Sequence, residues 1–175
     1  SSDYRVYALD LKTGEQAWDE PFATGNWVWG APAADEERVY VGSMDHHLYA
    51  IDQATGRQVW QEDIGGSIAG SVALADGVLF VGGVDKKLHA LRADDKNELW
   101  VTDDLGGWVW GKPLVHQGYV YVGSLDGRFH AFAVSDGSPR WQAVPLDGAI
   151  RAWAVLLSES LIVGTDSGNL YYIDT

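Results

Sequence analysis

Short apolar runs alternate with turn residues along the whole chain, and residues 26–62 show this pattern most clearly. The stretch contains four runs that carry β-branched or aromatic residues and have the length of ordinary strands. They are Trp27–Ala34, Arg38–Ser43, Leu48–Asp52 and Gln58–Glu62. Aspartate and glycine separate the later runs, where these residues favour tight hairpin turns. The pattern therefore predicts a unit of four antiparallel strands.

The same unit recurs with a period near forty residues. Trp18, Trp60, Trp100 and Trp141 are 42, 40 and 41 residues apart, and a Val-Gly pair recurs at a similar spacing. Repeats of this length built from short strands are the signature of β-propeller blades. We predict an all-β fold, a β-propeller of four-stranded antiparallel blades with about four repeats of 40–42 residues, in a single domain over residues 1–175. The predicted boundaries are a partial blade at 4–20, blades at 26–62, 66–102 and 107–143, and a partial blade at 148–174.

Each repeat carries a specific motif. The pattern Ala-x-Asp-x-x-Thr-Gly-x-x-x-Trp occurs unchanged at 8–18 and 50–60, and with substitutions at 90–100 and 131–141. It resembles the tryptophan-docking motif of pyrroloquinoline-quinone (PQQ)-type propeller repeats. This resemblance implies that the motif tryptophans are structural and pack against the alanine and glycine of the neighbouring blade. These docking residues are Trp18, Trp60, Trp100 and Trp141.

The predicted strands number seventeen, one more than four blades need. The chain begins with a third strand, Arg5–Asp10, and ends with a first, second and third strand between Ile150 and Asp174. Two arrangements fit this count: a portion or half of a larger ring, or a four-bladed ring that closes on itself. Because an unpaired apolar edge strand is a template for pairing, we expect self-association, or disorder of one terminus.

Composition narrows the range of partners. The chain has 12 basic and 25 acidic residues, a net charge of -13, which disfavours binding to nucleic acid and to anionic lipid surfaces. No apolar run approaches the ~20 residues that span a bilayer, and the start at Ser1 has no leader pattern, so we expect a soluble chain, either mature or excised. There is no cysteine, which excludes disulfides and thiolate metal sites.

Five of the nine tryptophans lie outside the docking motif, and all five fall in predicted first strands. First strands are the innermost strands of a propeller, and their side chains alternate between two faces. One face is uniformly small or aliphatic, which indicates packing between blades. The other is mixed, and its candidate ligand-binding residues are Trp27, Trp29, Trp108, Trp110, Lys112, Arg151 and Trp153. These side chains either fill space at the axis, or form an aromatic cleft that stacks on a sugar, a peptide side chain or a planar ligand.

Catalytic chemistry has no clear signature. Motifs for nucleophilic, phosphate-binding or metalloprotease sites do not occur, and His89 and His130 align with tyrosines of other repeats, so we assign no catalytic residue and no metal ligand. Our leading hypothesis is a non-enzymatic propeller without a cofactor, acting as a ligand-binding or protein-assembly scaffold. Its extracytoplasmic location, periplasmic or at the cell surface, is implied by the resemblance.

The resemblance also implies an alternative function. The chain would then be part or a remnant of a PQQ-dependent dehydrogenase, with PQQ and calcium as cofactors and with the axial tryptophans sandwiching the tricyclic quinone. In those enzymes the quinone lies against a vicinal cysteine disulfide, which a chain without cysteine cannot supply.

Overall fold

The computed structural model describes residues 1–174, and its regular structure over this range is entirely β. The strands form five antiparallel sheets in chain order. An N-terminal hairpin comprises β1 (Arg5–Val6) and β2 (Phe22–Ala23). Blade 1 comprises β3 (Ala33–Ala34), β4 (Arg38–Gly42), β5 (His47–Asp52) and β6 (Gln58–Asp63).

The remaining sheets repeat this plan. Blade 2 comprises β7 (Ala73–Ala75), β8 (Val78–Gly82), β9 (Leu88–Arg92) and β10 (Glu98–Val101). Blade 3 comprises β11 (Leu114–His116), β12 (Tyr119–Gly123), β13 (Arg128–Ala133) and β14 (Val144–Pro145). The C-terminal sheet comprises β15 (Val155–Leu157), β16 (Ser160–Gly164) and β17 (Leu170–Asp174). The predicted all-β fold with four-stranded antiparallel blades is confirmed.

The turn between the third and fourth strands explains why the repeat motif keeps the same spacing of Asp, Thr and Gly at 8–18 and 50–60. In blade 1 the carboxylate of Asp52 accepts hydrogen bonds from the backbone N–H and the hydroxyl of Thr55, at 2.8 and 2.6 Å. The N–H of Gly56 then donates to the carbonyl of Asp52 at 2.9 Å, with Gly56 at a φ of 71° that glycine adopts without strain. The short side chain of aspartate therefore sets the turn, and glycine closes it.

The innermost strands are shorter than the sequence predicts. Of the predicted strand Trp27–Ala34, only Ala33–Ala34 pairs in a ladder. The preceding segments of successive blades touch backbone to backbone, so that a Cβ on Gly30 would collide with the Gly70 carbonyl, and one on Gly111 would lie 2.7 Å from the Ala152 carbonyl oxygen. This packing between blades prevents these residues from pairing within their own blade, and Pro32 in addition has no N–H to donate.

Two fourth strands also differ from expectation. Trp18 and Trp141 lie outside ladders, and the strands β2 and β14 form beyond the predicted boundaries at residues 20 and 143. Near these tryptophans only single bridges form, between Leu9 and Gln16 and between Phe132 and Pro139. Pro139 lacks an N–H, which shortens the ladder in blade 3.

The hydrophobic core lies in layers between adjacent sheets, as expected for a repeat array. Between blades 1 and 2 the layer contains Tyr40, Leu48, Trp60, Leu79 and Leu91. Equivalent layers lie between blades 2 and 3, between blade 3 and the C-terminal sheet, and between the N-terminal hairpin and blade 1. Each sheet therefore depends on its neighbours for burial.

The first and last sheets of the array do not pair with each other. Among residues 1–174, β1 and β2 pair only with each other, and the outer side of β17 has no strand beside it. Residues 1–174 therefore do not close into a four-bladed ring by strand pairing. The structure is an open arc, consistent with a portion of a larger propeller.

Candidate functional site

Four tryptophans form a continuous aromatic ladder near the axis of the arc. The ring centroids of Trp27 and Trp29 are 5.3 Å apart and nearly parallel, at 14°. Trp29 is 5.8 Å from Trp110, which in turn stacks on Trp108 at 6.5 Å. The aromatic ladder, Trp27–Trp29–Trp110–Trp108, thus joins the inner segments of blades 1 and 3.

The sequence of blade 2 makes this contact possible. Its inner segment carries Ser67 and Ala69 where blades 1 and 3 carry paired tryptophans. Because these side chains are small, the indoles of Trp29 and Trp110 meet across blade 2. Alternation of large and small residues in successive blades therefore gives one continuous aromatic ladder instead of two isolated tryptophan pairs.

The aromatic ladder is open to solvent. Trp29 is 48% exposed and its neighbours Trp27 and Trp108 are similarly exposed, whereas the docking residue Trp60 is only 9% exposed. An exposed indole face can stack on a planar ring or a sugar. The ladder therefore offers accessible aromatic surface that the docking tryptophans do not.

Arg151 lies beside Trp110, an inner member of the ladder. Its guanidinium carbon is 5.7 Å from the Trp110 ring centroid, within the range of a cation–π contact. The Nε of Arg151 also donates to Asp166 Oδ2 at 2.7 Å, and both side chains are about half exposed. A ligand anion beside Trp110 would therefore compete with Asp166 for the guanidinium.

Lys112 and Trp153 belong to a different place. They line a separate groove of about 330 Å³ together with Pro113, Leu114 and Val155. Within the described part of the chain, no ring contact connects Trp153 with the aromatic ladder. The structure thus brings five of the seven sequence-predicted residues together and places the other two in this groove.

The spacing of the rings determines how a planar ligand can bind. A flat ring held between two indoles needs them about 7 Å apart, twice the optimal carbon–carbon separation. The tryptophan rings that meet from different blades, those of Trp29 and Trp110, are 5.8 Å apart. A quinone sandwiched between these tryptophans does not fit their present positions, and a planar ligand would stack on the outer faces of the ladder.

Three of the four motif tryptophans donate a hydrogen bond to the next sheet, whereas the buried indole N–H of Trp141 has no partner among the described residues. The indole N–H of Trp18 donates to the Gln53 carbonyl at 2.9 Å, and that of Trp100 to the Val134 carbonyl at 2.9 Å. The corresponding bond of Trp60 to Ala93 is 3.2 Å long. Each acceptor belongs to the third-to-fourth-strand turn of the following sheet, so these residues join the blades.

A second recurring contact escaped the sequence interpretation. In blade 1 the Tyr49 hydroxyl donates to Asp45 at 2.7 Å, and in blade 2 His89 takes the tyrosine's place, 2.9 Å from Asp85 and 3.1 Å from Glu98. Burial and the hydrogen bond to Asp45 raise the pKa of Tyr49. An acidic residue four positions before each of these aromatic residues is the sequence signal of this contact.

His89 and His130 lie on the third strands of blades 2 and 3, and not at the axis. Among residues 1–174, no group of three or more His, Asp or Glu side chains is placed to hold a metal ion. Nowhere in this range is there a helix with the length and apolarity that crossing a membrane demands.

Comparison with known proteins places the chain among propellers. The sequence profile of a family described as outer membrane protein assembly factor BamB matches residues 2–69 and 45–175. BamB from Moraxella catarrhalis is similar in structure, with a TM-score of 0.79 and 22% identity over 92% of this chain and 50% of that one. The chain thus spans about half the length of that relative.

Two further structures share the fold. The computationally designed Ika8 protein superposes with a TM-score of 0.89 and 15% identity over 100% of this chain and 54% of its own. The quinohemoprotein alcohol dehydrogenase ADHIIG from Pseudomonas putida HK5 gives a TM-score of 0.69 and 18% identity over 79% of this chain and 28% of its own. Among curated proteins, none matches this chain.

Proposed function

Because this chain belongs to the PQQ-like β-propeller repeat family of the outer membrane protein assembly factor BamB, we propose that it is a non-enzymatic, extracytoplasmic scaffold that binds a partner through its aromatic ladder. The partner is a protein segment with an exposed aromatic side chain, or a planar or sugar ligand. The observation that carries this proposal is the continuous stack of Trp27, Trp29, Trp110 and Trp108, in which Trp110 is half-buried and the other three rings are exposed. The extracytoplasmic location rests on the family.

Aromatic stacking sets the expected affinity of the aromatic ladder for a ligand. Stacking on an exposed indole contributes about 1 kcal/mol per contact. Two or three such contacts total about 2–3 kcal/mol, which corresponds to dissociation constants of roughly 5–35 mM for a small ligand. A protein partner combines stacking with other contacts, and Arg151 adds one charge-assisted hydrogen bond if it exchanges Asp166 for a ligand carboxylate.

The similarity to a quinohemoprotein dehydrogenase reflects shared fold alone, at 18% identity. A PQQ molecule placed between the ladder tryptophans would require Trp29 and Trp110 to separate from their 5.8 Å spacing. The present ring positions therefore do not support quinone chemistry at these residues, and PQQ enters the binding test only as one candidate planar ligand.

Tryptophan fluorescence tests the proposal. The purified chain is titrated with an aromatic peptide, an oligosaccharide and PQQ, the last with and without calcium. We expect saturable quenching by at least one ligand and no chemical change in that ligand by mass spectrometry. Trp110→Ala should abolish the response because Trp110 links the two halves of the ladder.

Trp153→Ala is the matched control, since Trp153 is also exposed and lies near the axis but outside the ladder. It should keep the response of the unmodified chain. Unchanged fluorescence across the panel, or equal loss in both variants, would show that the ladder is not the binding surface.

A further inference from the structure

An open groove of about 640 Å³ lies between blades 1 and 2. Its walls are the β3–β4 turn of blade 1 and the β7–β8 and β9–β10 turns of blade 2, together with part of β10. Both blades are complete, and each packs against a sheet on either side. Blades added to either end of the arc would therefore leave this groove open.

Hydrogen bonds between the two blades fix the floor of the groove. The carbonyl of Ala93 accepts from Trp60 Nε1 at 3.2 Å and from Arg38 Nη1 at 3.1 Å. The same Arg38 nitrogen donates to the carbonyl of Asp94 at 3.1 Å. The N–H of Ala93 donates in turn to the carbonyl of Gly77 at 2.9 Å. The shape of the groove is therefore formed before any ligand binds.

Apolar side chains line part of the groove and are open to solvent. Leu99 on β10 is 41% exposed, and Val78 at the start of β8 is half-buried. Val101, two residues further along β10, is similarly exposed but lies outside the groove. A ligand that covers Leu99 and Val78 is stabilised by burial of their apolar surface.

The groove also carries negative charge that the fold does not use. Five carboxylates line it, against two guanidiniums, those of Arg38 and Arg92. The Arg38 guanidinium is bound to two carbonyls, and that of Arg92 is 3.5 Å from Asp95. Three of the five carboxylates take part in no ion pair within residues 1–174: Glu36, Glu37 and Asp76. Negative charge is thus available beside apolar surface.

The acidic turn of blade 1 departs from the repeat. Blades 2 and 3 each join their first two strands by two residues, whereas blade 1 uses three, Asp35, Glu36 and Glu37. Asp35 caps this turn by accepting hydrogen bonds from the N–H groups of Glu37 and Arg38, at 2.9 and 2.7 Å. Insertions in single repeats commonly map to the binding face of a repeat protein. The additional residue therefore favours binding on this side of blade 1.

A second groove meets the first at the same turn. It has a volume of about 520 Å³, shares Glu36, Glu37 and Arg38 with the first groove, and adds the β5–β6 turn and Val59. Val59 is 45% exposed. The two glutamates therefore lie at the junction of two grooves, each of which has an exposed apolar side chain. An extended chain segment can follow both grooves.

From these features we propose that the two grooves bind an extended, basic segment of a partner protein, in which lysine or arginine is flanked by an apolar residue on either side. The basic side chains pair with Glu36 and Glu37, and the apolar side chains cover Leu99 and Val59. Charge complementarity selects a basic segment over an acidic one. The grooves share no lining residue with the aromatic ladder, so this surface is separate from the one under Proposed function.

A backbone amide NMR titration tests the charge requirement. The probe is the peptide Gly-Leu-Lys-Lys-Val-Gly, and Gly-Leu-Glu-Glu-Val-Gly is its acidic counterpart. We expect saturable shifts of the groove amides, such as those of Gly77 and Ala54, with the basic peptide alone. The double variant Glu36→Gln with Glu37→Gln should bind this peptide about 3–10-fold more weakly at low salt, because two exposed ion pairs are lost.

Asp19→Asn with Glu20→Gln is the matched control. It removes the same number of charges from exposed residues of the loop before β2, outside both grooves. This variant should bind the basic peptide as the unmodified chain does, and circular dichroism checks that both double variants fold. Equal weakening in the two would assign the attraction to the net charge of -13 and overturn the proposal. Absence of binding, or equal binding of the acidic peptide, would overturn it too.

A mutant cycle tests the apolar contact. Leu99→Ala should weaken binding of Gly-Leu-Lys-Lys-Val-Gly about 3–10-fold, whereas Val101→Ala, on the same strand but outside the grooves, should have no effect. With Gly-Ala-Lys-Lys-Ala-Gly, whose apolar side chains are shortened, Leu99→Ala should change the affinity little. Equal losses with both peptides would show that Leu99 does not contact them and would overturn the groove as the docking surface.

Trp110→Ala separates this proposal from the one for the aromatic ladder. The variant alters the ladder and leaves both grooves intact. It should bind Gly-Leu-Lys-Lys-Val-Gly with the affinity of the unmodified chain, whether or not the ladder binds a ligand of its own. Loss of peptide binding in Trp110→Ala, with shifts centred on the ladder amides, would place the basic segment there and overturn the groove proposal.

Discussion

The indole rings of Trp29 and Trp110 are 5.8 Å apart, although 81 residues and one complete blade separate them along the chain. Blade 2 carries the small residue Ala69 at the aligned position, where a large side chain would compete with these rings for space. A substitution in blade 2 can therefore break the ladder without removing a tryptophan. The ladder is a property of the repeat pattern, with large residues in alternate blades.

The first prediction contrasts a docking tryptophan with a ladder tryptophan. Trp60→Ala should lower the free energy of unfolding by about 3–5 kcal/mol, because it empties a buried site between blades 1 and 2. Trp29→Ala should cost about 1 kcal/mol, mainly the lost stacking on its neighbours. Urea unfolding followed by circular dichroism measures both. Equal losses would mean that the ladder contributes to the core as much as the docking residues do.

A second prediction concerns the docking turn. Gly56→Ala and Gly77→Ala both place a Cβ on a residue with a φ near 70°, at 71° and 75°, which costs about 1–2 kcal/mol. At Gly56 the new methyl also meets the Trp18 ring, whereas nothing lies within 4 Å of the ideal Cβ at Gly77. Gly56→Ala should therefore be less stable by a further ~1–3 kcal/mol. Thermal unfolding of the two variants gives the difference, and identical midpoints would show that the Trp18 ring moves aside freely.

The local parts of the fold were predictable from sequence because each is set by neighbouring residues. The Asp52–Gly56 turn is one example: its hydrogen bonds join residues within five positions of one another. The prediction of an inner strand over Trp27–Ala34 was wrong because contacts with a different blade determine the course of this segment. Its aromatic and β-branched residues favour a strand, but contact between Gly30 and Gly70 of the next blade determines its path.

The grouping of the candidate site residues was also predictable from the sequence in part. Strand alternation correctly grouped Trp27, Trp29, Trp108 and Trp110 on one face, and placed Arg151 beside them. It also grouped Trp153 with them, which the structure places in a separate groove. Alternation predicts which face of a strand a side chain lies on, but not its position along the axis of the arc. Because the inner segments are irregular, that position does not follow from the residue number.

The third prediction is a pH effect from His130. Burial lowers the pKa of this histidine below 6.5, with Arg128 acting in the same direction and Asp126 opposing it. The unfolded chain then binds more protons than the folded chain, so the stability is fully present above pH 6.5 and is lost as pH falls toward the folded pKa. The free energy of unfolding should fall between pH 7 and about 5.

His130→Tyr provides the control, because Tyr49 occupies the equivalent position in blade 1 without a titrating imidazole. The Ser124 hydroxyl, 3.3 Å from His130 Nε2, remains available to a tyrosine. Urea unfolding at each pH should show a smaller slope in the variant. The same slope in both proteins would assign the pH effect to other residues.

The last prediction uses the ion pair between Arg151 and Asp166, beside Trp110 of the aromatic ladder. Asp166→Asn removes the carboxylate that accepts the Arg151 Nε hydrogen bond at 2.7 Å, and leaves the guanidinium beside Trp110. Indole-3-acetate should then bind about 3–10-fold more tightly, since its carboxylate no longer competes with Asp166. Indole-3-acetamide has the same ring without the charge and should bind equally to both proteins. Fluorescence titration at low salt measures the four affinities, and the gain should shrink as ionic strength rises because the groups are exposed. If the acetate and the acetamide respond alike to Asp166→Asn, Arg151 does not contribute to ligand binding and the ladder acts through stacking alone.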